Sequence, residues 1–165
     1  MGKLSHFDKL GRARMVDVSA KPETSRRASA SVMVKMKKST LTALPRNPKG
    51  DPFEVARIAG ISAAKRTSDL IPLCHPLRLS HVDVQLEKCK NGLRISSLVS
   101  STGPTGVEME ALTAAAVAAL TVYDMCKALE RGIQITDLHL QEKSGGKSGT
   151  YRASASPRKR KPVRS

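Results

Sequence analysis

The stretch that decides the fold is STGPTGVEMEALTAAAVAALTVYDMCKALER, residues 101–131. Thr105 is followed three residues later by Glu108. This spacing is typical of a capping box, in which a hydroxyl and a carboxylate satisfy the free backbone N–H groups of a helix start. Most residues of 111–122 are small and apolar, a composition that suits burial on most faces of a helix. The stretch therefore predicts one long central helix with its few charges at the two ends.

The charges at the two ends of this helix are too far apart for one small site. Glu110 and Asp124 are fourteen positions apart, which separates them by about 21 Å along a helix axis. Either they serve two different sites, or a neighbouring subunit of a symmetric oligomer completes one site. Asp124 and Lys127 are spaced i,i+3 and can touch. From spacing alone, that contact is an ordinary surface ion pair.

The charge balance points to an anionic partner. The chain has 165 residues, enough for one domain with a real core, and a net charge of +15. Six of the basic residues lie in 150–165, where there is no acid, so the rest of the chain still carries nine positive charges. Phosphates of a nucleotide or a nucleic acid are the obvious ligands. Aromatic residues make up only 2%, which argues against a stacking platform for single strands.

Targeting and cysteine patterns favour the cytoplasm. We expect no stretch long and apolar enough to span a membrane, and the N-terminus lacks the apolar segment of a secretion signal. The three cysteines, Cys74, Cys89 and Cys126, are an odd number without CxxC spacing. That pattern argues against a disulfide framework and a zinc site. We therefore expect neither a resident metal nor a cofactor.

Alternating polar and apolar residues predict the strands. Residues 14–19 and 26–37 indicate a first hairpin with its turn at Pro22. The Asn91-Gly92 pair predicts a second hairpin between strands at 77–88 and 93–102. Residues 133–142 alternate again as a last strand.

Helix signals complete the predicted fold. Residues 39–44 favour one or two helical turns, and Asp51, Pro52 and Glu54 predict a second helix that runs to about position 66. The order βαββαβ predicts an α+β fold: a ferredoxin-like antiparallel sheet with helices packed on one face, preceded by an N-terminal hairpin strand. We expect a flexible arm at 1–13, the domain at 14–149 and a basic disordered tail at 150–165.

Two loops carry candidate site residues. Lys49 precedes the second helix, where backbone N–H groups favour an anion, although an ordinary exposed lysine fits the same position. His75 lies in a loop between Pro72 and Pro76, and a rigidly held histidine is a candidate ligand or acid/base. The neighbouring Cys74 is predicted to pack, because adjacent residues of an extended chain point to opposite sides.

The glycine-rich loop KSGGKSG, residues 143–149, is similar to a phosphate loop. A Walker A motif requires glycine at position 141, which is Gln141, and a helix after the loop, which the sequence does not predict. A P-loop nucleotidase is therefore excluded. Backbone amides and two lysines can still wrap phosphates, and a flexible linker into the tail fits the composition equally well.

Six motifs, in order along the chain, resemble the cyclic pyranopterin monophosphate synthase family of molybdenum cofactor biosynthesis. They are MVDVSAK (15–21), KGD (49–51), ARIAGISAAKRTSDLIPLCHPL (56–77), TGVEMEALTAA (105–115), YDMCKA (123–128) and KSGGKSG (143–149). The resemblance implies a ferredoxin-like fold and a homohexamer, built as a trimer of dimers, with active sites at subunit interfaces. It also implies a lyase reaction that converts a small-molecule cyclised dihydro-GTP to cyclic pyranopterin monophosphate with release of pyrophosphate.

The resemblance also implies roles for individual residues. Asp124 and Lys127 become the catalytic pair, and Lys49 a further catalytic or phosphate-contacting lysine. The residues placed at the substrate are Leu73, Cys74, His75, Glu108, Met109 and Glu110. The residues placed at the phosphates are Lys21, Arg26, Lys143 and Lys147. As a hypothesis, Lys127 transfers protons while Asp124 orients it and tunes its pKa.

The competing hypothesis is a basic nucleic-acid-binding module without enzymatic activity. Ferredoxin-like sheets that bind RNA stack bases on aromatic residues of the sheet. The chain's four aromatic residues, Phe7, Phe53, Tyr123 and Tyr151, are not placed for this. A nucleic-acid partner is therefore not favoured. The chain departs from the family pattern at Pro104, where many relatives have a lysine, and this change removes one possible phosphate contact without touching the predicted capping box.

Overall fold

A computed structural model describes residues 10–154 of the chain. The predicted arm therefore lies mostly, and the basic tail largely, outside the described residues. Within residues 10–154, five strands form one antiparallel sheet with the order β2-β3-β1-β4-β5. They are β1 (Thr24–Lys35), β2 (Leu79–Cys89), β3 (Gly92–Gly103), β4 (Gln134–Ser144) and β5 (Tyr151–Arg152). The helices are α1 (Lys38–Ala43), α2 (Pro52–Ala64), α3 (Thr67–Leu70) and α4 (Glu108–Cys126), and a 3-10 turn covers Leu44–Arg46.

The strand pairing confirms the predicted ferredoxin-like α+β fold. Strands β1 and β2 both pair antiparallel with β3, so they run parallel to each other with β3 between them. Helix α2 connects β1 to β2, and α4 connects β3 to β4. This is the split βαβ arrangement, used twice. Helices α2 and α4 pack on one face of the sheet.

The helix layer packs closely because small residues line the contact between α2 and α4. Gly60 and Ala56 of α2 are buried, as are Ala114 and Ala118 of α4. A Cβ atom on Gly60 would lie 2.9 Å from the Ala114 carbonyl oxygen, closer than real Cβ contacts allow. The absence of a side chain at position 60 therefore sets the distance between the two helices.

Helix α4 corrects one expectation about membranes. By length and composition it is apolar enough to cross one, contrary to the prediction that no stretch is. In the fold it is the core helix, packed against α2, β1 and β3, with 56% of its apolar window buried. Its apolar character serves the interior of the domain.

The predicted first hairpin and capping box are wrong. Residues 14–20 form no strand, because both edges of β1 are already occupied by β3 and β4. Helix α4 begins at Glu108, with Val107 in the N-cap position and no side-chain cap from Thr105. The Glu108 carboxylate instead pairs with Lys143. The helix also ends at Cys126, five residues earlier than predicted.

The remaining differences concern short elements. Strand β5 was not predicted and pairs with Glu142 and Lys143 of β4. Helix α1 has no side-chain cap of its own at Lys37. The carboxylate of Glu130, which follows α4, accepts from the Lys37 N–H at 2.9 Å and from the Thr40 hydroxyl at 2.7 Å. Glu130 therefore caps α1 from outside the helix.

Candidate functional site

An ion-pair cluster lies at the C-terminal end of α4. Asp124 Oδ1 is 2.7 Å from Lys127 Nζ, and Asp124 Oδ2 is 3.3 Å from Lys49 Nζ. Each carboxylate oxygen of Asp124 therefore forms an ion pair with a different lysine. The structure thus brings Lys49 against Asp124, which lies 75 positions later in the sequence.

The electrostatics of the cluster favour the charged forms of Asp124 and Lys127. Hydrogen bonds from Lys127 and then Lys49 hold the pKa of Asp124 below its ordinary value. The hydrogen bond and the charge of Asp124 raise the pKa of Lys127. All three side chains are about half exposed, so a ligand can reach them. The cluster presents two lysine side chains on one carboxylate, an arrangement suited to proton donation and to anion binding.

Local structure explains how Lys49 reaches α4. Asp51 caps α2 as predicted, with its carboxylate accepting from the Phe53 N–H at 2.8 Å. The residue before the cap, Gly50, has a φ of +97°, which bends the chain where α2 starts. Lys49 Nζ also donates to the Asp124 carbonyl oxygen at 2.9 Å.

A basic cavity of about 700 Å³ lies near the start of α4. Its basic lining residues are Lys21, Arg26, Arg27, Lys143 and Lys147, and its acidic lining residue is Glu108. The four residues predicted to contact phosphates therefore share one cavity. The glycine-rich loop forms one wall, and no helix follows it, since β5 comes next.

Inside the cavity, Arg26 and Lys143 already have partners. Arg26 donates from Nε to the Gly103 carbonyl and from Nη2 to the Pro104 carbonyl, both at 3.1 Å. Lys143 Nζ donates to Ser148 Oγ at 2.5 Å and lies 3.3 Å from Glu108 Oε1. Arg26 therefore fixes the backbone at Gly103 and Pro104 in the cavity wall and also contributes a positive charge.

Two glycines of the loop have positive φ angles and lie close to β1. Gly146 has a φ of +76°, and a Cβ atom there would lie 1.5 Å from Arg26 Nη1. Gly145 has a φ of +94°, and a Cβ atom there would lie 2.0 Å from the Ser25 carbonyl oxygen. The loop backbone thus approaches β1 more closely than any side chain allows.

A third group of predicted residues lies beside the first turn of α4. Glu110 is only 4% exposed, and burial raises the pKa of its carboxyl group. Burial and then the charge of Glu110 raise the pKa of the Cys74 thiol. Leu73 and Met109 are half-buried.

His75 is held in one tautomer. Its Nε2 lies 2.8 Å from the Val16 carbonyl oxygen, which can only accept, so Nε2 carries the proton. In the neutral ring, Nδ1 then has the free lone pair. The predicted acid/base candidate can accept a proton or a hydrogen bond through that atom.

The two ends of α4 thus carry separate charged groups within one chain. The cavity residues and Glu110 lie at the first turn, and the Lys49–Asp124–Lys127 cluster lies at the last. Helix geometry separates Glu110 from Asp124 by about 21 Å. Within residues 10–154, no group of three His, Cys, Asp or Glu side chains could hold a metal ion. The cysteines of this region are free.

Sequence reasoning missed three residues of these groups. Arg27 and Ser148 line the cavity. Asn47 contacts both Lys49 and α4. An Asn-Pro pair is a turn signal, and the asparagine side chain commonly bonds the backbone two residues later. That signal could have identified Asn47. The positions of Arg27 and Ser148 at the cavity depend on how β1 and the glycine-rich loop pack, which no local signal gives.

Comparison with known proteins assigns the chain to a family. The MoaC family profile matches residues 15–146. The chain is 58% identical over 156 residues to cyclic pyranopterin monophosphate synthase 1 of Mycobacterium bovis and to the protein of the same name in Mycobacterium tuberculosis. The match covers 93% of this chain and 92% of each relative. With the fold, the clustered lysines and this similarity together, the chain belongs to the MoaC family.

Proposed function

We propose that this chain is a cyclic pyranopterin monophosphate synthase, a lyase of molybdenum cofactor biosynthesis. Its substrate is a cyclised dihydro-GTP, and its products are cyclic pyranopterin monophosphate and pyrophosphate. The observation that carries the proposal is the Lys49–Asp124–Lys127 cluster, which unites the KGD and YDMCKA motifs of the family in one contact.

The cluster supplies the proton chemistry. Asp124 raises the pKa of Lys127 and so favours its ammonium form, which acts first as a proton donor to the rearranging substrate. Asp124 orients the ammonium group and stabilises its charge. Lys49, on the other carboxylate oxygen, adds a second positive charge for an anionic substrate or intermediate.

The basic cavity binds the triphosphate. Lys21 and Lys147 are exposed at the cavity and are the first to meet the phosphates. Lys143 is held by Glu108 in the free chain, and a phosphate oxygen competes with that carboxylate for the ammonium group. Charge-assisted hydrogen bonds from these groups and from loop amides offset the charge of the departing pyrophosphate.

We propose that the enzyme is a homohexamer, a trimer of dimers, with each active site shared between subunits. This is supported by the position of the two charged groups at opposite ends of α4. One chain contributes its basic cavity, and a neighbour contributes its Lys49–Asp124–Lys127 cluster. Exposed apolar side chains on the helix layer, Ile58 at 63% and Leu120 at 58%, favour association with another copy. We place the enzyme in the cytoplasm, where its three free cysteines stay reduced.

The nucleic-acid alternative lacks support on the sheet. The four long strands of the described sheet, β1 to β4, contain no Phe, Tyr or Trp. Phe53 and Tyr123 lie on helices, and Tyr151 lies in the short edge strand β5. The four long strands therefore offer no Phe, Tyr or Trp for base stacking.

Turnover of the proposed substrate tests the function directly. Purified wild-type protein is incubated with the cyclised dihydro-GTP, and pyrophosphate release and pyranopterin formation are followed together. We expect product from the wild type and from Lys90→Ala, an exposed lysine on the β2–β3 turn, and none from Lys127→Ala. If the folded wild type forms no product, the proposal is wrong, and salt-dependent RNA binding becomes the next measurement.

A further inference from the structure

Asn47 joins the loop before α2 to the end of α4. Its Nδ2 donates to the Met125 carbonyl oxygen at 2.9 Å, and its Oδ1 accepts from the Lys49 N–H, also at 2.9 Å. The Asn47 amide therefore bonds with its NH₂ group to the end of α4 and with its oxygen to the loop before α2. Asn47 is half-buried, whereas the other residues of 45–50 are exposed. Its side chain is thus the inward-facing anchor of an otherwise exposed loop.

The loop and the helix end meet at two consecutive carbonyl groups. Asn47 Nδ2 donates to the Met125 carbonyl oxygen, and Lys49 Nζ donates to the Asp124 carbonyl oxygen, both at 2.9 Å. The last carbonyls of a helix have no partner within it, so these donors come from the loop. Two loop backbone bonds add to the turn: the Asn47 N–H donates to Leu44 and the Gly50 N–H donates to the Asn47 carbonyl, both at 3.1 Å.

This arrangement fixes the position of the Lys49 backbone. A lysine side chain has four rotatable bonds and loses much freedom when it is held. Anchoring its backbone at one point, beside the helix end, reduces the range over which the ammonium group can move. Lys49 Nζ then stays within reach of Asp124 Oδ2, 3.3 Å away.

We propose that Asn47 is a positioning residue that holds Lys49 against Asp124. The catalytic consequence of this role rests on the function proposed above. The positioning itself concerns the free protein, so it is tested without substrate.

The first test measures the pKa of the Asp124 carboxyl group by NMR in the free, folded protein. The charged groups that face this carboxylate are Lys127 and Lys49, and both lower its pKa. We expect Asn47→Ala to raise that pKa and Lys49→Ala to raise it as well. The double variant should match Lys49→Ala, because Asn47 acts only through Lys49.

Two further variants separate positioning from general stability. Thr42→Ala, which removes an exposed hydroxyl bonded to Lys38 within α1, should leave the Asp124 pKa at its wild-type value. Asn47→Gln keeps both groups of the amide on a longer side chain and adds no charge, so the Asp124 pKa should lie nearer its wild-type value than in Asn47→Ala. If the pKa is the same in wild type and Asn47→Ala, or if it rises further in the double variant than in Lys49→Ala, the proposal is overturned.

The second test measures turnover. We expect Asn47→Ala to lower kcat by about tenfold or more, since small displacements of catalytic groups have effects of this size. It should add less than about a twofold loss to Lys49→Ala, as residues that act through one group are not additive. If Lys49→Ala is impaired while Asn47→Ala keeps full kcat, the role in catalysis is refuted. If the wild type itself is inactive, the proposed function fails, and the NMR result still decides the positioning.

Discussion

Mixing two inactive variants tests whether active sites are shared between subunits. The first variant, Lys127→Ala, disables the cluster at the end of α4. The second, Lys143→Ala combined with Lys147→Ala, disables the basic cavity near its start. If one chain supplies the cluster and another the cavity, a mixed oligomer contains sites in which both contributions are intact. In an equal random mixture, half of the sites receive an intact cluster from one chain, and half receive an intact cavity from the other. Both are intact in about one quarter of the sites, which should be active.

The assay is pyrophosphate release after the two variants are dissociated together in mild denaturant and reassembled. The matched control mixes Lys127→Ala with Lys49→Ala. Both of these defects lie in a cluster built within one chain, so this mixture should stay inactive. If native mass spectrometry detects mixed oligomers of the first pair and their rate does not rise above that of either variant, sites are not shared in this way.

Three further predictions concern stability and the cavity wall. Glu130→Gln should lower the free energy of unfolding by about 1 kcal/mol, a typical value for a lost N-cap. The pKa of Glu130 is lowered in the fold, so in urea titrations the wild-type advantage should be present above the unfolded-state pKa and disappear as pH falls through the folded one. Gly60→Ala should destabilise by about 1–3 kcal/mol in the same titration, since its Cβ would overlap the Ala114 carbonyl. Gly146→Ala should raise KM about tenfold, because an alanine is strained at this positive φ and its Cβ would displace the Arg26 side chain. Gly149→Ala, also at positive φ but with open space around the added Cβ, should raise KM less.

The elements that were predicted correctly have strong local signals. Asp51 with Pro52 starts α2 as expected. The second hairpin also forms, with strands close to their predicted bounds, although its turn is Lys90-Asn91 and Gly92 is already the first residue of β3. The hairpin at 14–19 failed because alternation along a segment cannot reveal whether a sheet edge is free. The capping box failed because Glu108 has a stronger partner, Lys143, which lies near the end of β4 and is distant in sequence.

In the candidate site too, contacts set by local helix geometry were predicted, and contacts set by tertiary packing were not. Helix periodicity predicted that Asp124 and Lys127 could touch and that Glu110 lies far from them, and both follow from local geometry. The approach of Lys49 to Asp124 depends on how α2 and α4 pack, so spacing alone could not give it. The resemblance to a family grouped these three residues before the fold did.

Helix α4 also restricts how the length of this chain can change over evolution. Inserting or deleting one residue between Glu110 and Asp124 would shift one end of the helix by about 1.5 Å and turn it by about 100° relative to the other. In the proposed hexamer, the two contributions to a shared site would then no longer face their counterparts on neighbouring subunits. Variation in length should therefore collect in loops such as the β2–β3 turn and at the termini, while this span keeps its residue count.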